Sequence, residues 1–386
     1  MSRFASAYSA AAHALLGSLI VFALLNAALY LFPAFRADTA VDTPIAFFGA
    51  DRLLPAYPGW TRDDLIQLHE ESRVVFDYQP IVQFRVRPLT GRFVNAVPQG
   101  FRVNAHQAPW PPSPEAYNVF VFGGSTTFGW LLADGETIVS QLQDRVAGLG
   151  CRRQVAVYNF GQPSYISTQE ALFFQSLVMA GTAPDVAVFI DGFNDFFFGG
   201  EMSFTQVLRG MMDDSDLHHR LGPLTRLPAY QFARRARGRL LYRPPVMAPA
   251  AEQQLHQRVI AQWLRNKQLI EEIGRGHAVK TAFVWQPVPV FEYDLSQHFL
   301  YRETPLPAGV PPPNADVGRG YGLMATHRQE LEAQGNFLWL ADMQAGVREN
   351  LYVDRLHYNA VASAGIAGRI LDFLKSASLL ECAGAS

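Results

Sequence analysis

The sequence predicts an α/β fold: a parallel sheet covered by helices on both faces, preceded by one apolar helix at the amino terminus. Three observations predict it. From residue 117 onward, short runs of Val, Ala, Phe and Ile alternate with longer stretches of helical period. Those runs are apolar at every position rather than every second one, the pattern of strands buried on both faces. Hydrophobic residues make up 49% of the 386-residue chain and charged residues only 17%, which suits one substantial core and excludes a disordered or fibrous chain.

The first element is the apolar run at 11–31. Between Arg3 and Arg36 there is no Asp, Glu, Lys or Arg. About 20 helical residues cross roughly 30 Å of hydrocarbon at ~1.5 Å each. The apolar region of a cleaved signal is shorter, roughly 7–15 residues, and ends at a small-x-small site. Here apolar character continues through Tyr30, Leu31 and Phe32. The expectation is an uncleaved anchor over 1–36 that crosses once, with a cleaved signal as the alternative. Arg3 and Arg36 nearly balance as orientation signals. The very short leading segment favours an extracytoplasmic, periplasmic main domain.

Residues 37–115 are rich in Pro, aromatic and polar residues without a sustained period, and read as an irregular extension packing on the main domain. The main domain is expected over 116–378. Its strands are expected at 118–122, 155–158, 186–190, 281–285 and 337–340, with helices at 137–146, 166–180, 252–273, 326–333 and 360–374. Gly181 and Gly274 sit where two of those helices should stop. Residues 197–250 break the alternation and read as an insertion near the crevice; they include an arginine run at 234–243. In such sheets the crevice lies beyond the carboxyl ends of the strands.

Net charge is −2, with 32 basic and 34 acidic residues, so no global positive field exists to hold nucleic acid. Cys151 and Cys382 cannot make a thiolate metal cage. They can form one disulfide in an oxidising compartment if the fold brings them together.

Four motifs fall at strand ends or before the last helix. Phe122-Gly123-Gly124-Ser125-Thr126-Thr127-Phe128-Gly129 follows the first core strand. Its glycines permit a tight turn that exposes a hydroxyl and nearby backbone N–H groups. It lacks the lysine of a phosphate-binding loop and the three spaced glycines of a dinucleotide fingerprint. Asn159-Phe160-Gly161-Gln162-Pro163-Ser164 follows the second strand, where Gly161 can bring an N–H close to a ligand. Asp191-Gly192-Phe193-Asn194-Asp195 follows the third, and an Asn amide there is a neutral donor suited to a developing oxyanion. Asp354-Arg355-Leu356-His357 precedes the last helix. Three residues apart, the acid and the imidazole can share one side of a helical turn, and the carboxylate can fix the imidazole tautomer. Each motif alone also fits an ordinary turn. Together they supply a nucleophile, a base with its orienting acid, and oxyanion donors.

On these motifs the sequence resembles the SGNH (GDSL-type) hydrolases, whose Ser, Gly, Asn and His blocks fall on Ser125, Gly161, Asn194 and His357 in the family's order. The resemblance spans roughly 115–376. It implies a flavodoxin-like three-layer α/β/α sandwich. It implies Ser125 as nucleophile, His357 as base and Asp354 as its orienting acid. An oxyanion hole would come from Ser125 N–H, Gly161 N–H and the Asn194 side chain, and no metal or cofactor is called for. The serine block departs from the family: Gly-Gly-Ser-Thr stands where Gly-Asp-Ser-Leu is usual, so Gly124 replaces an acid. The fourth strand ends in Trp285-Gln286-Pro287, from which no catalytic group is expected. The expected function is a serine esterase acting on acyl, in particular acetyl, esters of an envelope or exported glycan or lipid. Alternatives are an O-acetyltransferase for extracellular polysaccharide and a catalytically silent glycan-binding module.

Overall fold

Five parallel strands form the centre of the protein: β1 Tyr117–Gly123, β2 Val155–Asn159, β3 Val186–Asp191, β4 Lys280–Trp285 and β5 Phe337–Trp339. They lie in the order β2-β1-β3-β4-β5, which is the flavodoxin-like order. The structure is a computed structural model, and it describes residues 2–32, 44–199, 224, 227–230, 232–233, 247–303, 305–307 and 309–382. Most of the insertion expected at 197–250, including all five arginines of its basic run, lies outside the described residues.

The register explains where a site can form. β1 pairs with β2 on one side and with β3 on the other, with Val121 opposite Asn159 and Gly123 opposite Ile190. The chain therefore reverses its direction of winding around β1. At such a switch point the connections leave to opposite faces and open a crevice at the strand ends. Ser125 and Asn194 follow directly from the carboxyl ends of β1 and β3.

Alternation along each strand builds two chemically different cores. Val119, Val121, Val157, Val186, Val188, Ala282 and Val284 point to one face, beneath α4 (Ile138–Ala147) and α9 (Ala360–Ser376). Phe120, Phe122, Tyr158, Phe189, Phe283 and Trp285 point to the other, which is covered by α5 (Ser167–Met179) and α7 (Pro249–Gly276). On that face Phe122, Phe189 and Phe283 stack across three strands at 4.9 and 5.5 Å between centroids. Each fully buried side chain of this kind contributes about 1.5–3 kcal/mol. Helix starts are set locally: Thr137 accepts the Ser140 N–H, and Asn359 accepts the Ala362 N–H.

Residues 44–104 lie against the site side of this sheet. They contain α2 (Arg62–Glu71), capped by Thr61, and a hairpin in which Phe76–Gln79 pairs with Gln83–Val86. Arg102 bridges antiparallel to Asn159 and so closes the β2 edge. The serine turn (α3, Ser125–Phe128), α6 (Phe193–Phe197) and α8 (Ala315–Met324) complete the surroundings of the crevice. Cys151 and Cys382 form a disulfide that joins positions 231 residues apart.

At the amino terminus, α1 (Ser2–Tyr30) contains a 26-residue apolar stretch, Ala5–Tyr30, within which an 18-residue window reaches a mean hydropathy of 2.0. Apart from half-buried Asn26 and Leu29 its described side chains are exposed, and Asn26 Oδ1 accepts the Ala229 N–H at 3.0 Å. At ~1.5 Å per residue the stretch spans about 39 Å, long and apolar enough to cross a membrane or to act as a signal anchor.

Candidate active site

Ser125 is the first residue of α3, and the turn before it is shaped by what Gly124 lacks. Gly124 has an ordinary backbone, φ −82°, so its role is space rather than conformation. A Cβ there would come within 2.4 Å of Asn194 Nδ2. The missing acid of the serine block is thus the room in which the Asn194 amide sits.

His357 lies 232 residues further on, and its Nε2 is 2.9 Å from Ser125 Oγ. Its Nδ1 is 2.8 Å from Asp354 Oδ2. The other carboxylate oxygen, Oδ1, accepts the backbone N–H groups of Leu356 at 2.8 Å and His357 at 2.7 Å. The acid and the imidazole therefore meet through a bend closed by the Asp354 side chain, not along a helical turn as the three-residue spacing suggested. The cause is chemical: an Asp side chain that binds the N–H groups two and three residues on competes with helix formation. Ser125 and Asp354 are each 8% exposed and His357 6%. Burial alone would raise the Asp354 carboxyl, but the electrostatic attraction of the adjacent His357 ring and the hydrogen bonds from His357 and Leu356 outweigh it and hold the group below its usual range. With a carboxylate at Nδ1, that nitrogen carries the proton, leaving Nε2 to accept the Ser125 hydroxyl.

Asn194 donates one amide hydrogen to the Tyr165 carbonyl at 2.7 Å, and its second remains for the crevice. Ser125, Asn194, Tyr165, Gly192, Gln286 and Leu356 line a pocket of about 10 Å³, the space of one water molecule. Gly161 is placed differently. Its N–H donates to Asn159 Oδ1 at 3.0 Å, and the same Asn159 side chain donates to the Thr127 carbonyl at 3.0 Å. A Cβ on Gly161 would lie 2.4 Å from Phe128 N, so this glycine lets the loop after β2 pack directly on the backbone of α3. In this structure its N–H is engaged away from the pocket.

Several further residues adjoin the site without belonging to any of the four motifs. Gln286, at the end of β4, accepts the Thr126 hydroxyl at 2.7 Å and lines the pocket. Trp130 stands against His357, ring centroids 4.7 Å apart. His298, buried, accepts the Leu300 N–H at Nδ1 and so donates from Nε2 to the Asp354 carbonyl, 2.8 Å away. Behind Asn194 lie three buried carboxyl groups, Glu170, Asp191 and Asp195. Burial raises all three: Glu170 well above its usual range, Asp191 to about 6 and Asp195 to about 7, with Asp191 adding to the rise in the other two. Asp191 accepts the Trp263 indole N–H at 3.0 Å, and Asp195 accepts the Ser167 hydroxyl at 2.6 Å. Among the described residues no cluster of three or more His, Cys, Asp or Glu side chains is arranged to hold a metal ion.

The chain is similar to solved lipolytic enzymes and esterases. With a lipase/acylhydrolase from Enterococcus faecalis it shares 15% identity over 67% of this chain and 95% of that one, at a TM-score of 0.37. With the lipase Lip_vut3 from a goat rumen metagenome the figures are 11%, 67%, 97% and 0.39. With the acetyl xylan esterase AlAXEase they are 12%, 66%, 98% and 0.37. Neither a protein-family model nor a curated protein matches the chain.

Proposed function

We propose that the protein is an SGNH-type serine esterase that cleaves acyl esters, in particular acetyl esters, of an envelope or exported glycan or lipid. The observation that carries this reading is the continuous hydrogen-bonded chain Ser125 Oγ, His357 Nε2, His357 Nδ1, Asp354 Oδ2 at the switch point of the sheet.

Ser125 Oγ attacks the ester carbonyl while its proton passes to His357 Nε2, and Asp354 supports the imidazolium that forms. The tetrahedral oxyanion takes hydrogen bonds from Ser125 N–H and the free hydrogen of Asn194 Nδ2. Gly161 N–H joins them on exchanging Asn159 Oδ1 for the oxyanion. Each such donor is worth about 10²–10³ in turnover. Collapse breaks the bond to the leaving alcohol, which takes the proton from His357. Water then enters and attacks the acyl-Ser125 carbonyl as its proton passes to His357; collapse breaks the bond from the acyl carbon to Ser125 Oγ, which takes the proton back from His357, and the acid leaves. The apolar α1 supports a membrane-anchored enzyme. The Cys151–Cys382 disulfide supports an oxidising compartment for the main domain.

The test incubates the full chain in detergent with acetylated xylan and with p-nitrophenyl esters from acetyl to long acyl. The reading expects free acetate, short-chain preference and loss of both in His357→Ala. Transfer of acetyl to an added glycan without release of acetate would make the protein a transferase. No turnover of any ester would refute the reading.

A further inference from the structure

Trp130 joins three parts of the molecule. Its backbone N–H donates to the Ser125 carbonyl at 2.9 Å. Its indole N–H donates to the Ser72 carbonyl, just beyond α2, at 2.6 Å. Its ring meets the His357 imidazole at an interplanar angle of 84°. The loop that carries it is gripped by the amino-terminal segment. The Tyr57 hydroxyl donates to the Leu131 carbonyl at 3.1 Å, and buried Arg102 donates to the carbonyls of Phe128, Gly129 and Leu132. Leu131 itself has φ +66°, a left-handed conformation that costs a side chain of this kind about 1–2 kcal/mol. Such a residue persists only where its surroundings over-determine the backbone, and here the bonds that do so come from residues 57 and 102.

Hydrogen bonds through Nδ1 and Nε2 leave an imidazole free to rock about the line joining its two nitrogens. A second ring at right angles to it and in contact removes that freedom. We propose that Trp130 is a positioning residue that fixes the tilt of His357, and that residues 44–104 set this tilt by holding Trp130 and its loop. The inference rests on the esterase reading, in which His357 carries the Ser125 proton.

The test compares the full-length wild type with Trp130→Ala and Trp130→Phe in detergent. Turnover of p-nitrophenyl acetate is referred to the sites that a fluorophosphonate titrates, so unfolded molecules do not count. Misalignment of the base predicts a kcat lower by about 10–100-fold in Trp130→Ala with KM within about threefold. Trp130→Phe keeps a ring against His357 but loses the bond to Ser72, and should recover part of the loss. Wild-type kcat per titrated site in Trp130→Ala overturns the proposal. Should that variant fail to fold, Trp130→Phe and Tyr57→Phe carry the test: lower kcat at unchanged KM supports the proposal, and wild-type kcat in both overturns it. A wild type that neither labels nor turns over defeats the esterase reading instead. The downfield proton resonance of His357 Nδ1–H then decides for Trp130 without any substrate. A line sharp in the wild type and broadened in the variants supports the proposal; equal line widths overturn it.

Discussion

Gly124 and Asn194 occupy one space: the amide nitrogen of Asn194 lies 2.4 Å from where a Cβ on residue 124 would be, and its Cγ 3.4 Å away. Because the backbone of residue 124 suits any amino acid, a methyl group there displaces the amide and strains little else. Gly124→Ala should therefore leave the melting temperature within a few degrees of wild type. It should lower kcat on a short ester by about 10²-fold, the size of effect expected from losing one oxyanion donor. Steady-state kinetics beside a thermal melt check this. Equal kcat in the two proteins would remove Asn194 from the proposed mechanism.

The three carboxyl groups behind Asn194 predict how stability varies with pH. Burial raises Asp191 to about 6 and Asp195 to about 7 in the folded protein, whereas an unfolded Asp titrates near 3.8. The folded state thus holds protons that the unfolded state has released. Their stabilisation is complete below the unfolded value and is lost as pH rises through 6 and 7. Between pH 3.8 and the folded value, about 6 for Asp191 and about 7 for Asp195, each group costs about 1.4 kcal/mol per pH unit. Asp195→Asn keeps the oxygen that accepts from Ser167 but cannot titrate, so its melting temperature should vary less steeply between pH 4.5 and 7.5 than that of the wild type. Parallel curves would mean that Asp195 is not the group that ionises.

The disulfide closes a loop of 231 residues between Cys151 and Cys382. In the chain-entropy account a crosslink of this span restricts the unfolded state by up to about 5 kcal/mol. Reduction, or the Cys151→Ser/Cys382→Ser pair, should lower the thermal midpoint by several degrees. It should leave the Ser125–His357 geometry, and hence kcat below the transition, largely intact. Thiol titration of the native protein checks the premise: no reactive thiol is expected, and two would contradict it.

The sheet was legible in the sequence because its strands are buried on both faces and so are apolar at every position, as in Val119-Phe120-Val121 and Val186-Ala187-Val188. The alternation of small and aromatic side chains between faces was present in the same runs. Less legible was α8, whose Gly318, Gly320 and Gly322 argue against a helix by propensity. Tertiary packing decides there: a Cβ on Gly318 would meet the Val290 carbonyl at 2.3 Å, and one on Gly320 the Phe196 ring at 2.6 Å. The strands at 76–79 and 83–86 were missed because four residues are too few to display a period.

At the site, Ser125, Asn194, Asp354 and His357 stood out through residue type, spacing and place at strand ends. Contacts that depend on distant parts of the chain did not. Trp130 reads as one more loop aromatic until Ser72 and His357 are seen on either side of it. Gly161 reads as an open donor until the Asn159 side chain is seen to engage it. Gln286 was passed over because a neutral amide on its own has no distinctive chemistry; its place in the pocket depends on Thr126, 160 positions earlier.

The mechanism requires the Ser125 hydroxyl, 2.9 Å from His357 Nε2, to act as a nucleophile. Mass spectrometry after treatment with a fluorophosphonate tests it most directly. One stoichiometric adduct is expected, on the peptide containing Ser125, lost in Ser125→Ala and formed far more slowly in His357→Ala. An unmodified Ser125 in folded wild-type protein, or an adduct formed as fast without His357, would contradict it.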